Sequence, residues 1–178
     1  MQVILRILLA ILTPTSDADA EALHRFAPEE VTVARAHDHL WAARVAAAAY
    51  DVDPDLTLAI SFHESHFADD AKTPEVGGRV SCGAMTPYPV SQCAQKSLLA
   101  QYVDGTRHWA IDWGHAGDVH GAHEVLLGYA GGYHLIRACR RGPVLRHRTH
   151  GDDLCRTPEV FGWIRDRIRA ARLVKENS

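Results

Sequence analysis

One carboxylate, Glu64, stands out in the stretch DPDLTLAISFHESHF at residues 53–67, because it lies near the end of an apolar helical pattern. Asp53 is a suitable N-cap and Pro54 suits the first helical position, so a helix is predicted to begin here. At about 100° per residue, one face of this helix is apolar and Glu64 falls on its flank. The predicted face consists of Leu56, Ala59, Ile60, His63 and Phe67.

The position of Glu64 predicts a half-buried carboxyl group. Apolar surroundings disfavour the charged form of a carboxyl group, which lets it stay protonated and act as a general acid. The alternative is a solvated glutamate late in a helix, since most glutamates are exposed. Other features of the sequence are needed to choose between a general acid and a solvated side chain.

Composition places the chain among globular proteins of one domain. It has 178 residues, of which 47% are hydrophobic, enough for one well-packed core. The formal net charge of -3, with no basic cluster outside the C-terminal helix, argues against nucleic acid as a partner. No stretch reaches the roughly 20 apolar residues of a membrane span, so none is expected.

The first twenty residues have the pattern of a leader peptide. An apolar run from Val3 to Leu12 precedes a Thr/Pro/Ser break and then Ala18-Asp19-Ala20, which fits an A-x-A cleavage site. We therefore predict a leader at residues 1–20, the functional domain at 21–178, and export to the periplasm or the exterior. Because Arg6 interrupts the apolar run, a first amphipathic helix packed on the domain is the alternative.

The four cysteines match neither a zinc ribbon nor a redox C-x-x-C pattern. In an exported chain, Cys82 with Cys93 and Cys139 with Cys155 would each close a short loop. Four buried free thiols are the alternative, and the sequence leaves the pairing open.

Helical patterns predominate and strand signals are nearly absent, so we predict a mainly α-helical domain. Besides the Glu64 helix, helices are predicted from Pro28 to Tyr50, from Asp118 to a stop at Gly131-Gly132, and after a Thr157-Pro158-Glu159 start. Residues 68–96 are predicted to form a long irregular segment, which in compact domains is usually functional. A further helical stripe is interpreted as core and contains Leu98, Tyr102, Gly105, Trp109 and Trp113.

Three short stretches occur in an order typical of one enzyme family. They are HESHF with Glu64-Ser65, CGAMTP with Gly83 to Thr86, and LLGYAGG with Tyr129. Together they resemble the E-S, G-L-M-Q and A-Y-N-x-G motifs of the soluble lytic transglycosylases in the goose-lysozyme-like superfamily. The resemblance covers about residues 45–132 and includes SLLAQYVDGTRHWA, which is similar to the family's helix between the second and third motifs. It implies a single lysozyme-like helical domain.

The resemblance also implies an activity, with peptidoglycan glycan strands as the substrate and no cofactor or metal. Members of the family cut the β-1,4 bond between N-acetylmuramic acid and N-acetylglucosamine, and leave a 1,6-anhydro end. Glu64 would be the catalytic acid and then the base, because the muramic 6-hydroxyl is already placed to attack and no second carboxylate is required. The implied substrate-binding residues are Ser65, Gly83, Met85, Thr86 and Tyr129.

Each implied role has its own geometry. Ser65 and the loop from Gly83 to Thr86 would line the sugar site, with Met85 beneath a ring, and Tyr129 would reach Glu64 or the substrate. The structural alternatives are a Ser65 hydroxyl bonded to the Ser61 carbonyl, a Met85 that fills a core gap, and an ordinary buried Tyr129 ring.

The sequence departs from the family at Thr86, where Gln is usual, and at Ala130, where Asn is usual. These differences favour a second hypothesis, a non-catalytic domain that binds glycan or plays a structural role. A third is a muramidase, which would need a second carboxylate such as Asp69, Asp70 or Glu75. An envelope-spanning machine or a phage particle would be the candidate assembly, and the phage alternative would place the protein in the virion.

The twelve histidines raise a fourth hypothesis, a metallohydrolase. Pairs three residues apart, such as His63 with His66 and His120 with His123, can share a helix face and bind zinc. Neither stretch matches H-E-x-x-H, so no metal site is predicted.

Overall fold

The structure, a computed structural model, describes residues 2–74, 80–85, 88–89, 92, 96–113, 121–142 and 153–174. Most of these residues are helical, which confirms the mainly α-helical class. The described α-helices are α1 (Gln2–Leu12), α2 (Asp17–Phe26), α3 (Val33–Tyr50), α4 (Pro54–Ser65), α5 (Leu98–Arg107), α6 (Gly121–Arg141) and α7 (Thr157–Leu173). A π-helix at His108–Trp113 continues α5, and a 3-10 turn at Leu154–Arg156 precedes α7.

Helix α3 lies at the centre and contacts α1, α2, α4 and α5. Its buried side includes five alanines, and such small side chains let neighbouring helices approach closely. The helix begins at Val33, with Thr32 Oγ1 accepting from Arg35 N–H, and not at Pro28 as the sequence predicted. The residues that precede α3 form a turn in which Val31 N–H donates to the Ala27 carbonyl. Pro28, Glu29 and Glu30 belong to this turn and do not start the helix.

The segment predicted as irregular contains a small antiparallel sheet of order β1-β2-β3. The strands are β1 (Lys72–Pro74), β2 (Val80–Cys82) and β3 (Tyr88–Pro89). Lys72 pairs with Cys82 and Ser81 with Pro89. Strands of two or three residues are too short to show an alternating pattern, which explains why the sequence did not predict them.

The predicted helix stop at Gly131-Gly132 is confirmed, because both glycines have non-helical backbone angles and Gly132 adopts φ 65°. A second helical segment follows them to Arg141, and α6 denotes the two segments together. The predicted start of the last helix was wrong. Thr157 is the first residue of α7 and not its cap, because its hydroxyl donates to the Leu154 carbonyl at 2.8 Å.

The N-terminal helix α1 packs against α3 through Ala10 and leaves most of its apolar side chains exposed. Arg44 of α3 donates to the Ala10 carbonyl at 3.2 Å, and Arg6 pairs with Asp51. The Ala18–Ala20 stretch of the predicted cleavage site lies in α2, where Ala20 is fully buried. No helix in the described ranges is long and apolar enough to cross a membrane.

A disulfide joins Cys139, near the end of α6, to Cys155 in the 3-10 turn, with Cα atoms 5.5 Å apart. This confirms one of the two predicted local pairs, and the bond holds the start of α7 against α6. Cys82 is also disulfide-bonded. The predicted pairing of Cys82 with Cys93 involves a residue outside the described ranges.

Candidate functional site

Helix α4 carries Glu64 and begins as the sequence predicted. Asp53 is the N-cap, its Oδ1 accepts from Asp55 N–H at 3.0 Å, and Pro54 opens the helix. The Asp55 carboxylate accepts hydrogen bonds from Arg169 at 3.0 Å and from Arg172 at 2.7 Å. These ion pairs tie the start of α4 to α7.

The predicted single apolar face of α4 was wrong. The helix is buried on several sides, including Thr57, Ser61 and Ser65, whereas His63 is exposed. The helix also ends at Ser65, with His66 in the left-handed region (φ 52°), so Phe67 lies beyond it. Buried hydroxyls are tolerated here because each finds a hydrogen-bond acceptor.

Glu64 lies where the half-buried acid was expected, with 17% of its side chain exposed. His63 Nδ1 lies 3.6 Å from Glu64 Oε1. The His63 ring meets the buried Phe161 ring of α7 edge-on, with centroids 4.9 Å apart. The carboxyl group therefore has a titratable neighbour and a partial opening to solvent.

Two serine hydroxyls of α4 hold the carbonyl of Ala84 in the second motif. Ser61 Oγ donates to Ala84 O at 2.9 Å, and Ser65 Oγ lies 2.8 Å from Ala84 O and 2.9 Å from Ser61 O. On the other side of the residue, Ala84 N–H donates to Gln101 Oε1 at 2.6 Å. The contact with Ser61 O is the one expected if Ser65 has only a structural role. The contact with Ala84 O links the first motif to the second.

Neither Gly83 nor Met85 offers a side chain to a ligand, because glycine has none and the Met85 side chain is buried. Gly83 has φ 100°, and a Cβ there would lie 2.8 Å from Gln101 Oε1. Met85 is fully buried and packs against Gly105 of α5, so its predicted place beneath a sugar ring is corrected to a core position. Gly105 is required because this side chain occupies the space that a Cβ would take.

Replacing Gly105 with Ala is expected to destabilise the protein by about 2 kcal/mol, since the new Cβ would lie 2.6 Å from Met85 Cβ in a packed core. Gly162→Ala in α7 is the matched control, because a Cβ there meets nothing within 4 Å and alanine favours helix by about 1 kcal/mol. Urea denaturation measures both. Equal free energies of unfolding for the two variants would contradict the close packing at Gly105.

Tyr129 of α6 joins the third motif to the second. Its hydroxyl donates to the Met85 carbonyl at 2.7 Å, and not to Glu64. Burial raises the pKa of the Tyr129 phenol well above its ordinary value, and the negative charge of nearby Glu64 raises this pKa further. The three motifs, far apart in sequence, therefore meet around Glu64.

A buried chain of hydrogen bonds supports the same loop, and no motif of the sequence predicts it. His39 Nδ1 lies 2.9 Å from the Tyr102 hydroxyl, which donates to Ser61 Oγ at 2.9 Å. Because the Ser61 proton goes to Ala84 O, the Tyr102 proton goes to Ser61 and His39 must donate to Tyr102. The sequence offers one signal for this network, which is a histidine inside a predicted helix. The signal is weak because the chain has twelve histidines, and the sequence does not distinguish His39 from the others.

Among the described residues, the remaining sequence candidates add no side chain to this cluster, although Gln101 Nε2 donates to the Asp69 carbonyl at 3.1 Å. Asp69 pairs with Arg35 at 3.0 Å, Asp70 is exposed, and Ala130 is exposed on α6. Thr86 and Glu75 lie outside the described residues, and so does the side chain of Trp113. Within the described ranges, no group of three His, Cys, Asp or Glu side chains is arranged to hold a metal ion.

Comparison of the chain with family models, with curated proteins and with solved structures finds no match.

Proposed function

We propose that this protein is a peptidoglycan lytic transglycosylase with a lysozyme-like helical domain, in which Glu64 is the general acid. The observation that carries the proposal is the meeting of the three motifs. Ser65 of the first contacts Ala84 of the second, Tyr129 of the third contacts Met85 of the second, and Glu64 lies beside them.

The surroundings of Glu64 suit the acid step of glycoside cleavage. The carboxyl group is mostly buried beside the loop that carries Ala84, yet 17% of the side chain still faces solvent, so a bound sugar could reach it. A glycosidic oxygen at this opening would receive the proton as its bond to C1 breaks. The muramic 6-hydroxyl would then attack C1 and return a proton to Glu64, so that one carboxyl group completes the reaction.

The neighbouring polar groups act as positioning residues in this proposal. Ser61, Ser65 and Gln101 hold both sides of the Ala84 residue, and Tyr129 holds the Met85 carbonyl. The backbone of Ala84 and Met85 is therefore preorganised, because buried side chains with satisfied hydrogen bonds have few other arrangements. A rigid backbone beside Glu64 would keep the sugar in a reactive orientation.

Export is part of the proposal, because peptidoglycan lies outside the cytoplasm. The disulfide between Cys139 and Cys155 is compatible with an oxidising compartment, where such bonds persist. The predicted leader at residues 1–20 would provide the route.

The test is mass spectrometry of the soluble products released from purified peptidoglycan. Muropeptides lighter by one water than hydrolysis products are expected. Reducing ends would favour the muramidase alternative and a second carboxylate. A folded protein that binds glycan strands and releases no product would favour the non-catalytic alternative.

A further inference from the structure

A tryptophan on the exposed side of α7 lies beside a cavity that the proposed reaction does not use. Trp163 is 58% exposed, although tryptophan side chains are highly buried on average. The guanidinium carbon of Arg167 lies over the Trp163 ring, 4.8 Å from its centroid. This cation–π contact holds the ring in place and leaves much of its surface open to solvent.

The cavity has a volume of about 290 Å³, close to the lower end of the range of about 300–1,000 Å³ for ligand sites, so it suits one ring-sized group. The described residues that line it are Arg156, Glu159, Val160 and Trp163. Arg156 comes directly before α7, and Val160, Trp163 and Arg167 follow at spacings of three or four residues, which place them on one face. This face combines an aromatic ring with two guanidinium groups and a carboxylate.

The two arginines of this face differ from the other arginines of α7. Arg165, Arg169 and Arg172 each pair with an aspartate. Within the described part of the chain, neither Arg156 nor Arg167 forms an ion pair. An anionic group of a ligand would therefore meet two cations that no described carboxylate neutralises.

We propose that this face of α7 is an additional binding site for the peptidoglycan strand, where Trp163 stacks on one sugar ring and Arg156 binds a carboxylate carried by that sugar. The inference rests on the proposed function, which identifies the polymer, and it uses residues of none of the three motifs. In peptidoglycan, muramic acid carries such a carboxylate on its lactyl group or on its peptide stem. A second contact on the same strand would strengthen binding without taking part in the proton transfer from Glu64.

The combination of groups favours a carboxylate-bearing sugar over an anionic lipid surface. The C–H face of a sugar ring buries apolar area against the indole, and a carboxylate forms charge-assisted hydrogen bonds with a guanidinium group. Glu159, whose Oε1 lies 3.6 Å from His123 Nε2 of α6, would accept a hydrogen bond from a sugar hydroxyl or acetamido N–H. An anionic bilayer would instead bring its negative charges against the Glu159 carboxylate.

The experiment measures binding to the full chain carrying Glu64→Gln, so that the strand is not cleaved. Three ligands are titrated separately by isothermal titration calorimetry: glycan strands freed of peptide by an amidase, strands that keep their peptides, and neutral chitin oligosaccharides. Adding Trp163→Ala is expected to weaken the affinity for all three about tenfold, because the stacking area is lost. Adding Arg156→Gln is expected to weaken it about threefold, as for one exposed ion pair, and only for ligands with a carboxylate.

The three ligands also identify the carboxylate. A loss in Arg156→Gln with peptide-free strands assigns the contact to the lactyl group, and a loss confined to strands with peptides assigns it to the stem. An equal loss with the neutral oligosaccharides would overturn the role of Arg156.

Two other variants of α7 are the matched controls. Leu173→Ala removes an apolar side chain that is 62% exposed, and Arg165→Gln removes a cation that already pairs with Asp166. Both should leave the affinity unchanged. An unchanged affinity in Trp163→Ala, or an equal loss in Leu173→Ala, would overturn the inference. So would a Trp163→Ala variant that loses binding to phosphatidylglycerol vesicles and keeps its affinity for glycan.

The outcomes separate this inference from the proposed function. If the wild type releases anhydro products and Trp163→Ala binds strands as tightly as its parent, only the site on α7 is wrong. If the wild type releases no product and Trp163→Ala still weakens binding, the site on α7 is supported and the catalytic proposal is wrong.

Discussion

Replacing Glu64 with Gln is expected to lower the rate of glycan cleavage about a hundredfold or more, because the amide cannot donate a proton to the leaving oxygen. Glutamine keeps the shape of the side chain, and the site is only partly buried, so the fold should survive. The measurement is the rate of release of soluble muropeptides from purified peptidoglycan. The thermal unfolding temperature of the variant, compared with that of the wild type, shows whether the fold is retained.

Glu21→Gln provides the control for loss of a carboxylate. Glu21 is on α2, is 45% exposed at its side chain and lies 3.9 Å from Arg25, so its neutralisation should leave the cleavage rate unchanged. Full activity in a folded Glu64→Gln protein would contradict the assignment of Glu64 as the acid. Equal losses in both variants would indicate a general effect of charge on binding to the cell wall.

The second large effect is a loss of stability in acid that originates at His39. The imidazole is fully buried, and burial, aided by the positive charge of Arg35, lowers its pKa from 6.5 to about 4. The unfolded chain binds a proton below about pH 6.5 that the folded protein does not bind until about pH 4. Stability therefore falls as the pH drops through this window, by about 3 kcal/mol at pH 4 and below.

Urea denaturation between pH 4 and pH 7 measures this dependence. His39→Gln keeps an amide donor for the Tyr102 hydroxyl and removes the titration, so its free energy of unfolding should fall less steeply towards acid than that of the wild type. His37→Gln, on the same helix but partly exposed, should keep the wild-type slope. If the wild type and His39→Gln lose the same free energy over this range, His39 is not the group responsible.

His39 also connects acid sensitivity to the candidate site. Its ring donates to Tyr102, which donates to Ser61, and Ser61 holds the Ala84 carbonyl. A second proton on the ring would place a charge in the core at the far end of this chain. We therefore expect the loop that carries Met85 to loosen over the same pH range in which stability is lost.

Local signals in the sequence were sufficient to predict the helical class and the setting of Glu64. The Asp53-Pro54 start of α4 was correct because capping depends on a few adjacent residues. The half-buried position of Glu64 was also correct, although the single apolar face from which it was predicted was wrong. The pairing of Cys139 with Cys155 was among the alternatives because the two residues are close in sequence. Helix caps and local disulfides involve residues that are close in the chain, so a short sequence pattern is enough to predict them.

Only the tertiary structure decided what each motif residue does. Met85 proved to be a core residue because Gly105 leaves space for it on a helix 20 residues away, and Tyr129 proved to bond the Met85 carbonyl. Tyr102 was correctly interpreted as core, but its hydrogen bonds with His39 and Ser61 could not be predicted, since the three residues lie on different helices. The sequence by itself determined the helices and the candidate acid, whereas long-range packing determined which side chains support the site and which face its opening.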